Sequence, residues 1–536
     1  MAPQPPQPLW ALAGALLAGL AQALSLAWPG SGAPQWGLQL ASLAALAWLL
    51  QPAISWRRAA VLGWVFATAW LSGTFWWLFI SMHTYGGLAA PLAVAGVLGL
   101  AAFLGSYYAV ISGVFKALAP THRALVAIIF AALWTLAELA RGTWWTGFPW
   151  GASGYAHVDG PLAVLARSVG IYGVGFVAAL LAMLLVQVRR SDLRNPRVGL
   201  LLLAGLALWA ALTWQRHRAV DVPTTTPPLT LALLQGNIPQ DEKFQSGSGV
   251  PLALQWYAQA LLNAQAALVV APETAIPLLP QQLLPGYLDA IEQHYRQGEG
   301  PSAQAALIGI PLGHKELGYT NSVLGFYPGQ TAAYRYDKHH LVPFGEFIPP
   351  LFKWFTQMMN IPLGDFNRGT VAQLPLLWHG ERIAPHICYE DLFSEELGAR
   401  FASPAQAPTL FINLSNIAWF GDSVAIDQHL NIGRMRALEF ERPMVRATNT
   451  GATAIIDHRG AVTHQLARHT RGILTGQVQG RGGPLTPYAY WVSRWGLWPL
   501  WIFCTLMVLI ARIAPVVRRS ARPHHRNAPF LPSVPR

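Results

Sequence analysis

Residues 382–391 read RIAPHICYED: a short β-type run that stops on Cys388 and turns at once into acidic side chains. Two other places share this plan. ALVVAP (267–272) runs into Glu273, and AAYRYD (332–337) runs into Lys338. Sheet proteins place chemistry at strand ends, where the backbone is rigid and the side chain sits at the rim. Each residue alone has an ordinary reading: a lone cysteine there is usually a small buried hydrophobe, and a lone Lys or Glu is usually solvated. Together, near Glu346 and Glu390, each supplies what the others lack. A thiol is a good nucleophile only as thiolate, which a cation or base promotes. Lys338 offers positive charge to a thiolate and later to a tetrahedral oxyanion. Glu273 offers a base that takes the thiol proton and returns it to a leaving group.

Outward from these residues, further β-type runs occur at 229–235, 305–310, 322–327, 408–413, 444–448 and 452–457, separated by Gly- and Pro-containing turns. The stretch 425–441, AIDQHLNIGRMRALEFE, has the composition and amphipathic pattern of a helix. Strands interleaved with helices from Leu229 to about Gln479 predict an α/β layered domain. There is no Gly-rich phosphate loop. His339 and His340 are adjacent and no HxxxH or CxxC spacing occurs, so neither metal nor cofactor is expected. The two cysteines, Cys388 and Cys504, lie in such different settings that no disulfide framework is expected.

The flanks are of another kind. Hydrophobic residues make up 53% of the 536 and charged residues 11%, against about 25% charged in ordinary soluble proteins. Apolar windows of bilayer length run approximately 9–27, 36–54, 59–80, 88–118, 124–140, 162–188, 198–214 and 495–514. The fourth is longer than a bilayer needs, and Gly96, Gly99 and Gly105 are where it would bend. The first lacks a charged n-region, so it reads as an anchor and not a cleaved signal. Basic residues fall in alternate loops: Arg57 and Arg58; Lys116 and Arg123; Arg189, Arg190, Arg194 and Arg197; then the C-terminal tail. The positive-inside rule therefore puts both termini in the cytoplasm and the α/β domain on the outer face. The expected organisation is a seven-span domain (1–215), a catalytic domain (216–490), and an eighth helix with a basic tail (491–536). The net charge of +12 belongs to membrane-flanking cations, so no nucleic-acid partner is expected. Within RGTWWTGFPWGASGY (141–155), the aromatics read either as an interfacial belt or as the lining of a lipid entrance that includes Trp145 and Phe148. Glu138 and Arg141, three apart on one helix, are expected to pair.

The segments APET, YDKHHLVPFGE, ICYED and NLSNIAWFGDS resemble the nitrilase (carbon–nitrogen hydrolase) superfamily, whose Glu–Lys–Cys triad lies in an αββα sandwich. With eight apolar windows and WTLAELARGTWWTGFPWGASGY, the whole chain is similar to the apolipoprotein N-acyltransferase family. The resemblance implies an inner-membrane enzyme that moves an acyl chain from phospholipid to the α-amino group of a lipoprotein's N-terminal diacylglyceryl-cysteine, through a thioester. It implies Cys388 as nucleophile, Glu273 as base and Lys338 as electrostatic stabiliser. Glu346 would order Lys338, Tyr389 and Glu390 would support the oxyanion region (the Tyr389 N–H as a donor), and Trp419 would face substrate on a mobile arm. Two positions depart from the family pattern: Ile417 replaces an Asp, and Phe244 stands where a Trp is expected, both in loops assigned to substrate. A membrane-anchored amidase or nitrilase shares the triad and differs in what attacks the intermediate.

Overall fold

In the strand Leu229–Gln235 (β1), Leu229, Leu231 and Leu233 face one apolar core while Ala232 and Leu234 face another. Alternation with both faces apolar is what a strand buried on both sides requires. The computed structural model describes residues 9–51, 54–118, 122–218, 227–298, 300–348 and 365–520. The basic tail (521–536), and with it Arg522, lies outside them.

Around β1 the chain builds two 6-stranded sheets. The first comprises β1, β2 (Leu268–Ala271), β3 (Ala305–His314), β4 (Gly318–Phe326), β5 (Tyr334–Asp337) and β12 (Gly472–Val478), in the order β12-β1-β2-β3-β4-β5. The second comprises β6 (Leu376–Trp378), β7 (Glu381–Ile387), β8 (Leu410–Ser415), β9 (Met444–Thr448), β10 (Ala454–Ile456) and β11 (Val462–Gln465), in the order β11-β10-β9-β8-β7-β6. The centre of each is parallel: β1–β2–β3 in one, β7–β8–β9 in the other. Leu231, Val270, Leu307, Ile383, Ile412 and Val445 fill the space between the sheets. Helices α8 (Gly249–Asn263) and α9 (Tyr287–Arg296) cover the outer face of the first sheet. The expected αββα sandwich is therefore present. The strands β6, β11 and β12 were not anticipated; β11 and β12 are largely exposed, which blurs their hydrophobic signal.

The outer face of the second sheet packs on α10 (Ser394–Ala399) and α11 (Ala425–Phe440), and this layer has no solvent side. Phe411, Phe440, Ile432 and Met435 belong to one apolar core that continues into the helical bundle through Tyr155, Leu162 and Ile171. The bundle consists of α1 (Leu9–Leu26), α2 (Trp36–Leu50), α3 (Trp56–Thr74), α4 (Ala90–Leu118), α5 (Arg123–Thr143), α6 (Ala166–Gln187) and α7 (Pro196–Arg218), joined later by α12 (Pro487–Trp495) and α13 (Trp498–Ser520). Among the described residues, α1, α4, α5, the 161–187 segment containing α6, and α7 are each long and apolar enough to cross a membrane. The α12–α13 pair, bent by 91°, makes a sixth if taken as one span.

The expected spans are refined in places. The run 59–80 is not one helix, because α3 ends at Thr74 and the chain then turns through Ile80–Tyr85. The second helix has 15 residues, short of the roughly 20 that a bilayer core takes. The run 162–188 is broken at Gly170, whose φ of 65° puts it in the region open to glycine. By contrast, α4 continues as one helix of 29 residues through Gly96, Gly99 and Gly105.

The expected Glu138–Arg141 pair is replaced by tertiary bonds. Glu138 accepts from the Ser153 N–H (2.7 Å) and hydroxyl (3.1 Å). Arg141 donates to the Tyr108 hydroxyl and to the carbonyls of Phe148 and Trp150. Both residues thus pin the loop after α5, whose backbone groups outcompete a neighbour on the same helix.

Candidate active site

Lys338 and Cys388 follow β5 and β7 directly, and Glu273 follows β2 after Pro272, so all three lie at strand ends. Cys388 has φ 49° and opens a 3-10 turn, Cys388–Leu392. A non-glycine residue in that region needs surrounding structure to hold it there. Glu390 provides it. Its carboxylate accepts from the Ile387 N–H (2.6 Å), the Tyr336 hydroxyl (2.8 and 2.9 Å) and the His339 N–H (2.8 Å). Glu390 therefore ties the cysteine turn to the Lys338 loop. Both of its oxygens are thereby committed as acceptors within this turn.

Lys338 sits between two carboxylates, with Nζ 3.2 Å from Glu273 Oε1 and 2.9 Å from Glu346 Oε1. Asn321 donates to the same two oxygens at 2.7 Å each. The remaining oxygens are also met: Glu273 Oε2 by the Asn416 N–H (2.8 Å) and Glu346 Oε2 by the Val342 N–H (2.8 Å). Lys338, Glu273 and Glu346 are all buried. Charges out of water persist only when fully partnered in this way. Burial works against the Lys338 charge, but Glu273 and Glu346 outweigh it and hold the ammonium above the usual lysine range. Lys243, buried beside them, donates to the Glu273 carbonyl at 3.1 Å. Burial lowers its pKa to about 7, with Glu273 and Cys388 offsetting part of the fall.

Cys388 itself is half-buried. Burial and then the Glu273 charge push its thiol up to about 12; Lys338 and the Ser415 hydroxyl pull the other way without prevailing. These surroundings favour the neutral thiol over the thiolate.

The other expected residues have distinct settings. Phe148 stacks on Tyr389 at 6.3 Å and 26°, and the Tyr389 hydroxyl donates to the Gly147 carbonyl at 3.1 Å. The Trp-rich loop is thus docked beside the residue that follows Cys388. Trp145 is 75% exposed. Trp419 is half-buried, edge-on to Tyr85 at 5.9 Å. Phe244 follows the buried Lys243 and is half-buried. Sequence reasoning missed Asn321, Asn416 and Lys243. Each is one polar residue without a spacing pattern, and only the fold reveals its partners.

The family profile described as apolipoprotein N-acyltransferase N-terminal domain matches residues 18–184, and that described as carbon-nitrogen hydrolase matches residues 230–485. An apolipoprotein N-acyltransferase of Verminephrobacter eiseniae is 67% identical over 509 residues, covering 92% of this chain and 94% of that protein. One from Ralstonia nicotianae is 46% identical, covering 84% and 85%. One from Pseudomonas putida is 36% identical, covering 90% and 94%. Matched along nearly its whole length by these relatives and by both profiles, the chain, with an αββα sandwich continuous with an apolar bundle, is a member of the apolipoprotein N-acyltransferase family.

Proposed function

We propose that this chain carries an acyl group from a membrane phospholipid to the α-amino group of a diacylglyceryl-cysteine at a lipoprotein N-terminus, using Cys388 as the acyl carrier. The observation that carries the reading is the cluster at the strand ends: Cys388 after β7, and Lys338 after β5 with its Nζ 3.2 Å from Glu273 Oε1 and 2.9 Å from Glu346 Oε1. Glu273 takes the thiol proton as sulfur attacks the ester carbonyl. Lys338 and the Tyr389 N–H face the negative charge that develops on oxygen. Collapse expels the glycerol oxygen, which recovers the proton from Glu273 and leaves as lysophospholipid. In the second half, the acceptor amine attacks the thioester, gives its proton to Glu273, and the thiol is restored. Glu346 keeps Lys338 in register through its 2.9 Å contact.

The membrane setting follows the same logic. Eight spans, with both termini cytoplasmic and the sandwich on the outer face of the inner membrane, bring the site to two lipid-anchored substrates. Phe148, Trp145, Trp419 and Phe244 line the approach and keep water from the thioester.

The test is intact-protein mass spectrometry of enzyme supplied with phospholipid alone. A hydroxylamine-sensitive acyl adduct is expected on wild type and on Cys504→Ala and none on Cys388→Ala. A diacylated lipopeptide should discharge the adduct far faster than water does. No adduct on wild type, or equal discharge rates, would overturn the proposal.

A further inference from the structure

Helix α11 begins Ala425, Ile426, Asp427, Gln428, His429, and its Gln428–His429 pair touches both halves of the molecule. The buried Gln428 amide is used at both ends. Its Oε1 accepts from the indole N–H groups of Trp77 (3.1 Å) and Trp150 (2.8 Å), and its Nε2 donates to the Thr74 carbonyl (3.0 Å). One side chain therefore gathers the end of α3, the turn after it, and the Trp-rich loop after α5.

His429, the next residue, is also buried. Its ring lies along Trp150, with centroids 5.6 Å apart and planes inclined by 23°. Arg446 Nη2 donates to its Nδ1 at 2.8 Å, so the ring hydrogen is on Nε2. That nitrogen meets the carbonyl oxygen of Cys388 at 3.3 Å and Asp391 Oδ2 at 3.5 Å. The Cys388 carbonyl has one other side-chain donor, the Asn413 amide, at 3.2 Å. The groups facing His429 are thus Arg446, Asp391 and, through Asp391, His386. Burial and Arg446 keep the imidazole neutral, with its pKa near 3.

We infer that Gln428 and His429 are positioning residues that transmit the seating of the membrane loops to the nucleophile. Where Trp150 sits fixes the His429 ring, and the ring fixes the carbonyl of a cysteine held at φ 49°, hence the direction of its Sγ. This rests on Cys388 being the nucleophile, and Cys388→Ala serves as the separate control for that reading.

The coupling is tested by a double-mutant cycle on full-length enzyme in detergent, following the maximal rate of Cys388 acylation and the half-saturating donor concentration. Two donors are used: long-chain phosphatidylethanolamine in mixed micelles, and soluble p-nitrophenyl butyrate. If Gln428 acts through His429, Gln428→Ala lowers the maximal rate about fivefold and His429→Ala about thirtyfold, while the double variant is no worse than His429→Ala. The losses are expected with both donors at unchanged half-saturation, and His429→Gln, which keeps an N–H donor, should recover most of the rate. Losses that multiply in the double variant would overturn the inference. So would an effect confined to half-saturation by phosphatidylethanolamine, which is what a purely structural contact between domain and bundle predicts. If the alanine variants do not remain monodisperse, the comparison of His429→Gln with wild type decides: a loss as large as thirtyfold counts against the N–H donor role.

Discussion

Two buried regions meet next to Cys388, and they are held together by opposite means. In the sandwich, the buried carboxylates of Glu273, Glu346, Glu390 and Asp391 each have partners on both oxygens. Among the described residues, unpartnered buried polar atoms occur in both regions, Asn413 Oδ1 in the sandwich and those of Gln22, Thr68 and Ser112 in the bundle, but the bundle helices carry few such charged networks. The helices there gain contact by shape instead. A Cβ on Gly19 of α1 would lie 2.2 Å from the Phe66 carbonyl of α3, and one on Gly63 would lie 2.6 Å from the Tyr108 carbonyl of α4. Close backbone approach through small residues is how helices associate where lipid removes the hydrophobic drive. The comparison teaches where geometric precision is kept. Carboxylates partnered on both oxygens specify one arrangement of their neighbours. Shape packing specifies contact, which suits a platform.

The largest effect should come from emptying the centre of the polar network. Lys338→Met leaves the Glu273 and Glu346 carboxylates buried around Asn321 without a cation. Removing one partner of a buried pair costs about 3–5 kcal/mol, so thermal unfolding in detergent should show a severe loss, and acyl adduct on Cys388 should be undetectable. A stable Lys338→Met enzyme would mean that the sandwich tolerates unpaired charge and would remove the contrast.

A smaller effect is expected in the bundle. Gly19→Val drives a branched side chain into the Phe66 backbone, and overpacking of this kind costs about 1–3 kcal/mol. Thermal unfolding should report that loss while Cys388 still acquires its adduct. If the adduct vanished and stability held, the bundle would be part of the chemistry and not its platform.

The sequence made some of this plan readable, for physical reasons. Runs of β-type residues ending on Glu273, Lys338 and Cys388 were legible because a buried strand must be apolar until the rim, so the first polar residue marks the rim. Helix α11 was legible from its helix-forming composition, although the structure buries it nearly all round where the pattern suggested one polar, solvated face. The supporting groups were not, because Asn321 on β4 and Asn416 beyond β8 act through partners distant in the chain. Local rules also misled. The helical spacing of Glu138 and Arg141 suggested a pair, yet each met stronger backbone partners in the following loop. The third apolar run hid the turn after Thr74 because Phe75, Trp76 and Trp77 keep the hydrophobicity high through a bend that serves the sandwich, with Trp77 bonding Gln428.

The smallest effect is the most discriminating about how the polar network treats its thiol. Burial and Glu273 raise the Cys388 pKa to about 12, and Lys338 and Ser415 lower it less. Thiolate is then a minor species across the neutral range, and its fraction grows about tenfold per pH unit below the pKa. Alkylation by iodoacetamide in a Cys504→Ser background should therefore rise steadily from pH 6 to pH 10 with no plateau. Glu273→Gln removes the negative charge that opposes thiolate formation, so it should speed alkylation at fixed pH by a few-fold while abolishing adduct formation from phospholipid. The two readouts move in opposite directions only if Glu273 acts during the reaction as a proton acceptor and not beforehand as the generator of a resting thiolate. A plateau near neutral pH would show a preformed thiolate held by the Lys338 ammonium, and slower alkylation in Glu273→Gln would show that the carboxylate generates the thiolate beforehand; either result overturns this reading.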